Sequence, residues 1–307
     1  MAEVTKTSVD DATPVLVANA ALGALAGNLM LAAVADRNWE PIVAQYGETI
    51  QIPIRGAVTA EDKVAGSDVT EQAPAMTNVQ ITLDTHKETT VPVEDVAKAF
   101  AKLDVIQGYA EDAAIAIAEA IETTGFTAAY TNFTTNADIG VAGQDLDTAT
   151  VLLARKRMKD AKVPAGQEVY FFLSTKDYNA LLQLPEWRDA EKIGTADRIV
   201  NAPGQFRHFG MTFVETQYVQ VVAGVPTTHN LCLSPKQGLA LAMRPLPLPQ
   251  GVISAVMAGG VPGTPQAGLG IRQIIAYRPE KLATQLTLDA LWGWKVIRGA
   301  FGQDVLS

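Results

Sequence analysis

Apolar residues that recur every three or four positions predict one long helix near the centre of the chain. Pro92 suits a first helical turn, where its missing amide hydrogen costs nothing, and Gly125 is a typical residue to end a helix. The pattern therefore predicts a helix from Pro92 to Thr124 whose thin, alanine-rich stripe suits a strut better than the centre of a compact enzyme. The stripe comprises Val96, Phe100, Leu103, Ile106, Ala110, Ala113, Ile117 and Ile121.

Strict alternation of apolar and polar residues predicts two strands ahead of this helix. Residues 47–56 alternate isoleucines with polar positions, and residues 79–83 repeat the pattern. Residues 57–76 between them are small, polar and charged, with no period. The two strands would therefore form a very extended hairpin. Because an isolated two-stranded ribbon is marginal in water, we expect this one to gain its stability on another molecule.

The remaining patterns predict an α+β body in which residues 128–260 are inserted between the long helix and the closing strands. After a connector at 127–143, Asp145 or Asp147 would cap a helix at 146–162, and Ser174 would cap a helix that ends before Pro185. Residues 235–243 fit a short helix or an irregular strand, and residues 244–270 predict an irregular link. Strands are predicted at 168–173, 210–216, 230–233, 271–277 and 286–296.

The N-terminal segment raises the question of a membrane span, because residues 12–35 carry no charge. The segment is mostly alanine and glycine and contains two asparagines, so it favours a helix whose small residues pack closely on a neighbour. A signal peptide would need a basic start, whereas acidic residues surround the lone Lys6. We therefore expect neither a membrane segment nor an export signal.

The composition limits the classes of function. Across 307 residues the net charge is −9 and 48% of the residues are hydrophobic. The chain can therefore bury a large core, but it does not present a basic, nucleic-acid-binding surface over much of its area. The single cysteine, Cys232, excludes an intrachain disulfide and a multi-cysteine metal site. Because it lies between two leucines, we predict a buried, inert thiol.

The sequence contains no motif that indicates catalysis. A GxxxxGK[ST] phosphate loop and a GxGxxG sequence are both missing, and the histidines His86, His208 and His229 lack the spacing of a zinc site, which leaves surface or structural roles. The carboxylates of the long helix lack a histidine at i+3, so they predict a solvated or subunit-facing acidic edge. They are Asp104, Glu111, Asp112, Glu119 and Glu122.

Two further groups of residues have structural explanations. Ser174 and Lys176 could imitate a nucleophile pair, but Ser174 is explained more simply as a helix cap. A basic run spreads around the helix predicted at 146–162 and suits an exposed surface or ionic contacts with an acidic neighbour; it comprises Arg155, Lys156, Arg157 and Lys159. We therefore predict no catalytic, cofactor-binding or metal-binding residue, and no enzyme.

The order of these elements resembles the major capsid proteins of tailed bacteriophages with the Hong Kong 97-type fold. The resemblance rests on GETIQIPIRG at 47–56, NVQITLDTHKETTVPVEDVAKAF at 78–100, the long helix, and LTLDALWGWKVIRGAF at 286–301. The segments DAKVPAGQ, VYFFLS, DYNALL and HFGMTFVET extend it through the middle of the chain. It spans nearly the whole sequence and contains no invariant catalytic motif.

This resemblance implies a division of the chain into five parts. Residues 1–46 would be an N-terminal arm with its helix, and residues 47–92 an extended loop, a β-hairpin that reaches across an adjacent subunit. Residues 93–127 would be the spine helix of a peripheral domain. Residues 128–260 would be an axial domain that meets its copies around five-fold and six-fold axes, and residues 261–307 the closing strands of the peripheral domain.

The resemblance also implies a function. The chain would be a major capsid protein, assembled in the host cytoplasm through hexamers and pentamers into the icosahedral shell of a virion. The shell would enclose double-stranded DNA without sequence-specific binding, which a net-acidic coat suits. Because the segment before the hairpin is short, we expect a separate scaffolding protein; a portal is a further expected partner, and decoration is left open. Lys63 would be the candidate for the lysine cross-link of some relatives, but no signature supports one.

Two alternatives remain open from the sequence. An encapsulin-like nanocompartment shell has the same fold and would hold enzyme cargo in place of DNA. A soluble α+β enzyme with an unrecognised site would instead show an ordinary monomeric shape with a deep polar cleft.

Overall fold

The structure is a computed structural model that describes most of the chain. Residues 1–17 of the predicted N-terminal arm and residues 95–103 of the predicted long helix lie outside the described part, as do the side chains of 104–107 and 188. The described residues are 18–25, 28–39, 49–56, 58–94, 104–164, 166–188, 205–222, 227–259 and 268–307.

Helices and strands alternate in a mixed order. Residues 18–25 are helical, and the helices that follow are α1 (Leu31–Val34), α2 (Asp104–Asn132), α3 (Thr148–Asp160), α4 (Thr175–Gln183) and α5 (Pro185–Arg188). The strands are β1 (Thr49–Arg55), β2 (Met76–Thr82), β3 (Thr85–Glu94), β4 (Ile139–Gly140), β5 (Val169–Leu173), β6 (Gln205–His208), β7 (Met211–Glu215), β8 (Gln220–Val222), β9 (Thr227–Leu233), β10 (Leu239–Arg244), β11 (Ser254–Gly259), β12 (Gly270–Arg278), β13 (Ala283–Val296) and β14 (Gly302–Leu306).

The structure confirms several predicted strands and helix caps. Each of them depends on residues that are close together in the sequence. The strands at 47–56, 79–83, 168–173 and 286–296 form within a few residues of their predicted bounds. Asp147 is the cap of α3: its side chain accepts a hydrogen bond from the Thr150 amide at 2.8 Å. Hydrogen bonds from the Thr150 side chain and from this amide lower the pKa of Asp147. Ser174 caps α4 in the same way, with its hydroxyl accepting from the Asp177 amide at 3.1 Å.

The predicted start of the long helix is wrong. Pro92 lies in β3, opposite Gln285 of β13, and its missing amide hydrogen is tolerated because β3 is an edge strand. The described helix α2 begins at Asp104.

The predicted end of the helix is also wrong. Helix α2 continues through Gly125 to Asn132, so residues 127–132 are helical instead of forming a connector. A Cβ atom at Gly125 would lie 2.7 Å from the ring of Trp294 and 3.0 Å from the side chain of Leu31. Gly125 therefore permits close packing against the sheet and does not end the helix.

A five-stranded sheet forms the first half of the body. Its order is β10-β13-β12-β11, and β3 also pairs with β13. Residues 18–25 and α2 cover one face of this sheet, where Leu25, Ile117 and Ile121 pack with Leu288 and Trp292. All five side chains are at most 2% exposed, so this layer is a hydrophobic core.

A seven-stranded sheet forms the second half, in the order β4-β14-β9-β5-β7-β6 with β8 beside β9. Helices α3 and α4 pack on one face around Phe171 and Phe213. The end of α2 packs on the other face, where Phe126 meets Phe172 edge to face at 5.6 Å. One helix of 29 residues, about 43 Å long, therefore contacts both sheets.

Two predictions about the second half of the chain need correction. The predicted irregular link at 244–270 contains β11, whereas residues 235–243, for which a helix and a strand were both open, contain β10 and so form the strand alternative. The closing strands do not stay together: β12 and β13 lie in the five-stranded sheet, whereas β14 pairs with β9 and β4 in the seven-stranded sheet. Sheet membership depends on contacts distant in sequence, which a local pattern does not encode.

Gln273 of β12 is a buried amide at 1% exposure, and neither its nitrogen nor its oxygen has a hydrogen-bond partner in the described part of the chain. Its cross-strand neighbours are Leu288, in the core beneath α2, and Val256, which is partly buried and packs against that core. We expect Gln273→Met to stabilise the subunit by about 1–3 kcal/mol, because it removes an unsatisfied buried group. Urea unfolding of the two proteins measures the difference. Gln285→Met, at a partly exposed position, is the control, and a destabilised Gln273→Met variant would contradict the expectation.

Candidate assembly surfaces

The hairpin formed by β1 and β2 is anchored in the body at its root. Ile50, Ile52 and Ile81 are at most 3% exposed and pack against Ala240 and Ala242 of β10. The expectation that the ribbon gains its stability on another molecule is therefore wrong for the root, which this chain buries itself.

A glycine of β13 makes this anchoring possible. A Cβ atom at Gly293 would lie 2.0 Å from the carbonyl oxygen of Thr82, the last residue of β2. Any side chain here would collide with the hairpin backbone, since real Cβ atoms do not approach an oxygen so closely.

The tip of the hairpin is exposed but ordered. Residues 58–78 are all exposed, including Val64 and Val69 at 67% and 70%. The side chain of Gln72 spans the loop: its oxygen accepts from the Thr59 amide at 2.9 Å and its nitrogen donates to the Thr59 carbonyl at 2.6 Å. These two bonds join the two sides of the loop beyond the last paired residues of β1 and β2, and they fix the conformation of the tip.

Lys63 takes part in the same internal bonding. Its ammonium group donates to the carbonyl oxygens of Val64 and Ser67, and the Ser67 hydroxyl also donates to Val64 at 2.9 Å. These bonds give Lys63 a structural explanation within the loop and do not require a cross-link.

Glu122 of α2 holds the segment that precedes α1. Its carboxylate, 0% exposed, accepts hydrogen bonds from the amides of Met30, Leu31 and Ala32 at 3.1, 2.9 and 3.1 Å. Burial raises the pKa of Glu122 to about 7, against the opposing effect of these three bonds. The carboxylate therefore joins the N-terminal region to the long helix.

The prediction of a solvated acidic edge is consequently wrong for Glu122 and fits Asp112 and Glu119, which are exposed. Glu122 follows Ala118 by four residues and lies beside Ile121 on the buried stripe. Its position on this stripe indicated from the sequence alone that the Glu122 side chain would be buried. Nothing close to it in the sequence indicates that three backbone amides about 90 residues away would donate to the carboxylate.

The three histidines contact carboxylates or aromatic rings. His86 lies 3.2 Å from Asp289, which also accepts from Arg272 at 2.9 Å, so these side chains link β3, β12 and β13. His229 lies 2.6 Å from Asp304; burial raises the pKa of Asp304, and the bond to His229 opposes that rise.

His208 packs against the ring of Trp187 at 4.9 Å, and burial lowers its pKa. The prediction for each histidine was a surface or a structural role, and each of the three makes a specific side-chain contact in the structure. Among the described residues no group of three or more histidine, cysteine, aspartate or glutamate side chains could hold a metal ion.

Ser174 and Cys232 occupy structural positions. The Ser174 hydroxyl donates to Asp177 at 2.6 Å, whereas Lys176 lies 3.5 Å from Asp145 at the surface. Asp177 also accepts from Asn230, which places Ser174 in a buried polar network. Cys232 is 0% exposed in a core cluster, as predicted, and burial raises the pKa of its thiol.

The basic run divides between two faces of α3. Arg157 turns toward the body and donates to the carbonyl of Ala137 and, at 3.2 Å, to Gln303. Arg155, Lys156 and Lys159 are exposed. Within the described ranges, no helix is long and apolar enough to cross a membrane.

Comparison with known proteins distinguishes between the three hypotheses for this chain, a phage capsid protein, a nanocompartment shell and an enzyme. A sequence model of a family described as phage capsid protein matches residues 77–269, more than half of the chain. The chain belongs to the phage capsid protein family. No curated protein sequence matches this capsid protein.

Solved structures show the same fold at low sequence identity. A chain of Mycobacterium phage Che8 matches this capsid protein with a TM-score of 0.63 and 17% identity over 90% of both chains. The capsid of the cyanophage P-SCSP1u matches with a TM-score of 0.56 and 16% identity over 85% of this chain and 83% of the other. The capsid of an empty GTA particle matches with a TM-score of 0.57 and 12% identity over 90% of both chains.

The fold is the Hong Kong 97-type capsid fold that the sequence resembles, built from mixed helix and sheet. Family and fold together identify a major capsid protein, a structural component of the shell of a tailed phage. They do not favour the enzyme or the nanocompartment alternative.

Proposed function

We propose that copies of this chain form hexamers and pentamers that close into an icosahedral shell around double-stranded DNA. The observation that carries the proposal is the hairpin: its root is fixed in the body, whereas its tip is held together by its own hydrogen bonds and is exposed throughout residues 58–78. A rigid arm of this kind is suited to a neighbouring subunit.

The proposed division of labour follows the two sheets. The five-stranded sheet with α2 would form the peripheral domain, and the seven-stranded sheet the axial domain around the symmetry axes. The hairpin of β1 and β2 would be one arm and residues 1–46 the other, whereas residues 85–92 of the predicted extended loop belong to β3 of the five-stranded sheet. A net charge of −9 supports a lining that does not hold packaged DNA tightly.

The proposed partners outside the shell are a separate scaffolding protein and a portal, with assembly in the host cytoplasm. Expression of the chain with and without neighbouring phage genes, followed by negative-stain microscopy, tests the proposal. Closed icosahedral particles support it. A soluble monomer under every condition contradicts it. The contents of purified particles separate a DNA-filled phage shell from a compartment with protein cargo.

Deletion of residues 60–74 is expected to leave a folded subunit and prevent shell closure. The deleted residues are exposed, and the Gly56 amide already bonds to the Ala75 carbonyl at 2.8 Å, so the shortened strands meet without rearrangement. We expect the melting temperature of the subunit to change little, and the yield of particles to fall below detection. Calorimetry and sedimentation measure the two quantities.

The control replaces residues 60–74 with glycine and serine at the same length. It removes the ordered tip but keeps the chain length, so it should fail in assembly as the deletion does. A normal particle yield from either variant would show that the tip has no partner in the shell.

A further inference from the structure

The outer face of α3 has the composition of a binding surface. Leu152 and Leu153 are each 41% exposed beside Arg155, Lys156 and Lys159, and we call these five residues the basic face. Helix α3 carries four cations and one carboxylate, a net charge of +3 in a chain of net −9. No salt bridge joins Arg155, Lys156 or Lys159 to a carboxylate of the described residues.

The hairpin tip has the complementary composition. Residues 58–75, which we call the acidic tip, contain four carboxylates and one lysine, a net charge of −3. The lysine is bonded to carbonyl oxygens, so it does not neutralise the carboxylates by pairing. Val64 and Val69 project from the same loop at 67% and 70% exposure. The carboxylates are Glu61, Asp62, Asp68 and Glu71.

We propose that the acidic tip of one copy docks on the basic face of another copy in the shell. This inference rests on the proposed function and names the partner of the hairpin. Neither surface forms a salt bridge with the described residues, the net charges of the two surfaces are equal and opposite, and each carries exposed aliphatic side chains that can pack together. From Thr49 to Gly66 the arm extends up to about 56 Å, enough to reach beyond its own subunit.

Electrostatics and burial would have separate roles in this contact. A single exposed ion pair contributes little, but several like charges on each surface steer the encounter and fix its register. The leucines and valines supply apolar area that is removed from water only when the surfaces meet. The contact should therefore form more slowly as the salt concentration rises.

Charge reversal tests the pairing. We expect Arg155→Glu with Lys156→Glu and Lys159→Glu to lower the yield of particles at least about tenfold, because like charges then face each other. Glu61→Lys with Asp62→Lys and Asp68→Lys should have the same effect. A chain with both sets of substitutions restores opposite charges and should recover most of the yield. Lys176→Glu with Arg207→Glu, two exposed cations outside the basic face that pair with Asp145 and Glu168, is the control for charge reversal at the surface and should assemble normally.

Disulfide trapping tests the contact independently. The native Cys232 is fully buried, so new surface cysteines have no accessible competitor. Mixed particles of an Asp68→Cys variant and a Lys156→Cys variant should give a linked dimer on oxidation. Mixed particles of Asp68→Cys and Lys176→Cys should not.

The outcomes separate this inference from the proposed function. Unaltered chains that never form particles would overturn the proposed function. Normal assembly of either charge-reversed set would overturn only the docking inference. Loss of assembly by both sets without recovery in the combined chain would also overturn it, and would assign the basic face to another acidic partner, such as a separate protein or nucleic acid.

Discussion

Replacing Glu122 with alanine is expected to destabilise the subunit by about 3–5 kcal/mol, because it leaves three backbone amides without an acceptor in a buried site. The amides belong to Met30, Leu31 and Ala32, so the loss also detaches the region before α1 from α2. Chemical unfolding of the unassembled subunit measures the free energy. Glu119→Ala, an exposed carboxylate one turn away, is the matched control and should change little.

The same carboxylate should make the stability depend on pH. Its pKa rises from 4.5 to about 7 on folding, so between these values the folded chain holds a proton that the unfolded chain has lost. The stabilising contribution is complete below pH 4.5 and is lost as the pH rises through 7, a difference of about 3 kcal/mol. Unfolding free energies from pH 5 to 8 should therefore fall more steeply for the unaltered chain than for Glu122→Gln. Equal slopes would show that the carboxylate does not titrate there.

Replacing Gly293 with alanine is expected to displace the root of the hairpin. The new Cβ atom would lie 2.0 Å from the Thr82 carbonyl oxygen, a backbone atom that cannot rotate away. We expect a cost of about 3 kcal/mol or more and a loss of particles, since the arm would leave the body at a different angle. The melting temperature and the rate of proteolysis within 57–76 report the displacement, and microscopy reports the particles.

Gly259 of β11 provides the matched control for this substitution. It is a strand glycine in the same sheet, and the nearest atom to a Cβ there, the Leu269 carbonyl oxygen, lies at an ordinary 3.9 Å. Gly259→Ala should therefore fold and assemble. If Gly293→Ala behaved like this control, the hairpin would not depend on close contact with β13.

The sequence predicts the elements whose pattern is local. Alternating isoleucines gave β1, and the spacing of Asp147 and Ser174 gave two helix caps that the structure confirms. The errors occur where a distant partner decides the outcome. Gly125, for example, was predicted to end the helix, but its lack of a side chain instead allows the ring of Trp294 to pack against the helix.

The assembly surfaces were predictable to different degrees. The exposed tip at 57–76 follows from its polar, aperiodic sequence, and the basic run was visible as a surface. The buried root was not predictable, because the partners of Ile50 and Ile52 lie on β10, nearly 190 residues away. The role of Glu122 was hidden for the same reason.

The placement of the hairpin root has a mechanical consequence. The root sits on β13, which is hydrogen-bonded to β3 on one side and to β12 and β10 on the other. Tension applied by a neighbour at the far end of the arm would therefore enter the subunit through a strand held along both edges. Such a strand resists shear through many bonds at once, so strain between subunits would be shared by a whole sheet instead of stretching a loop.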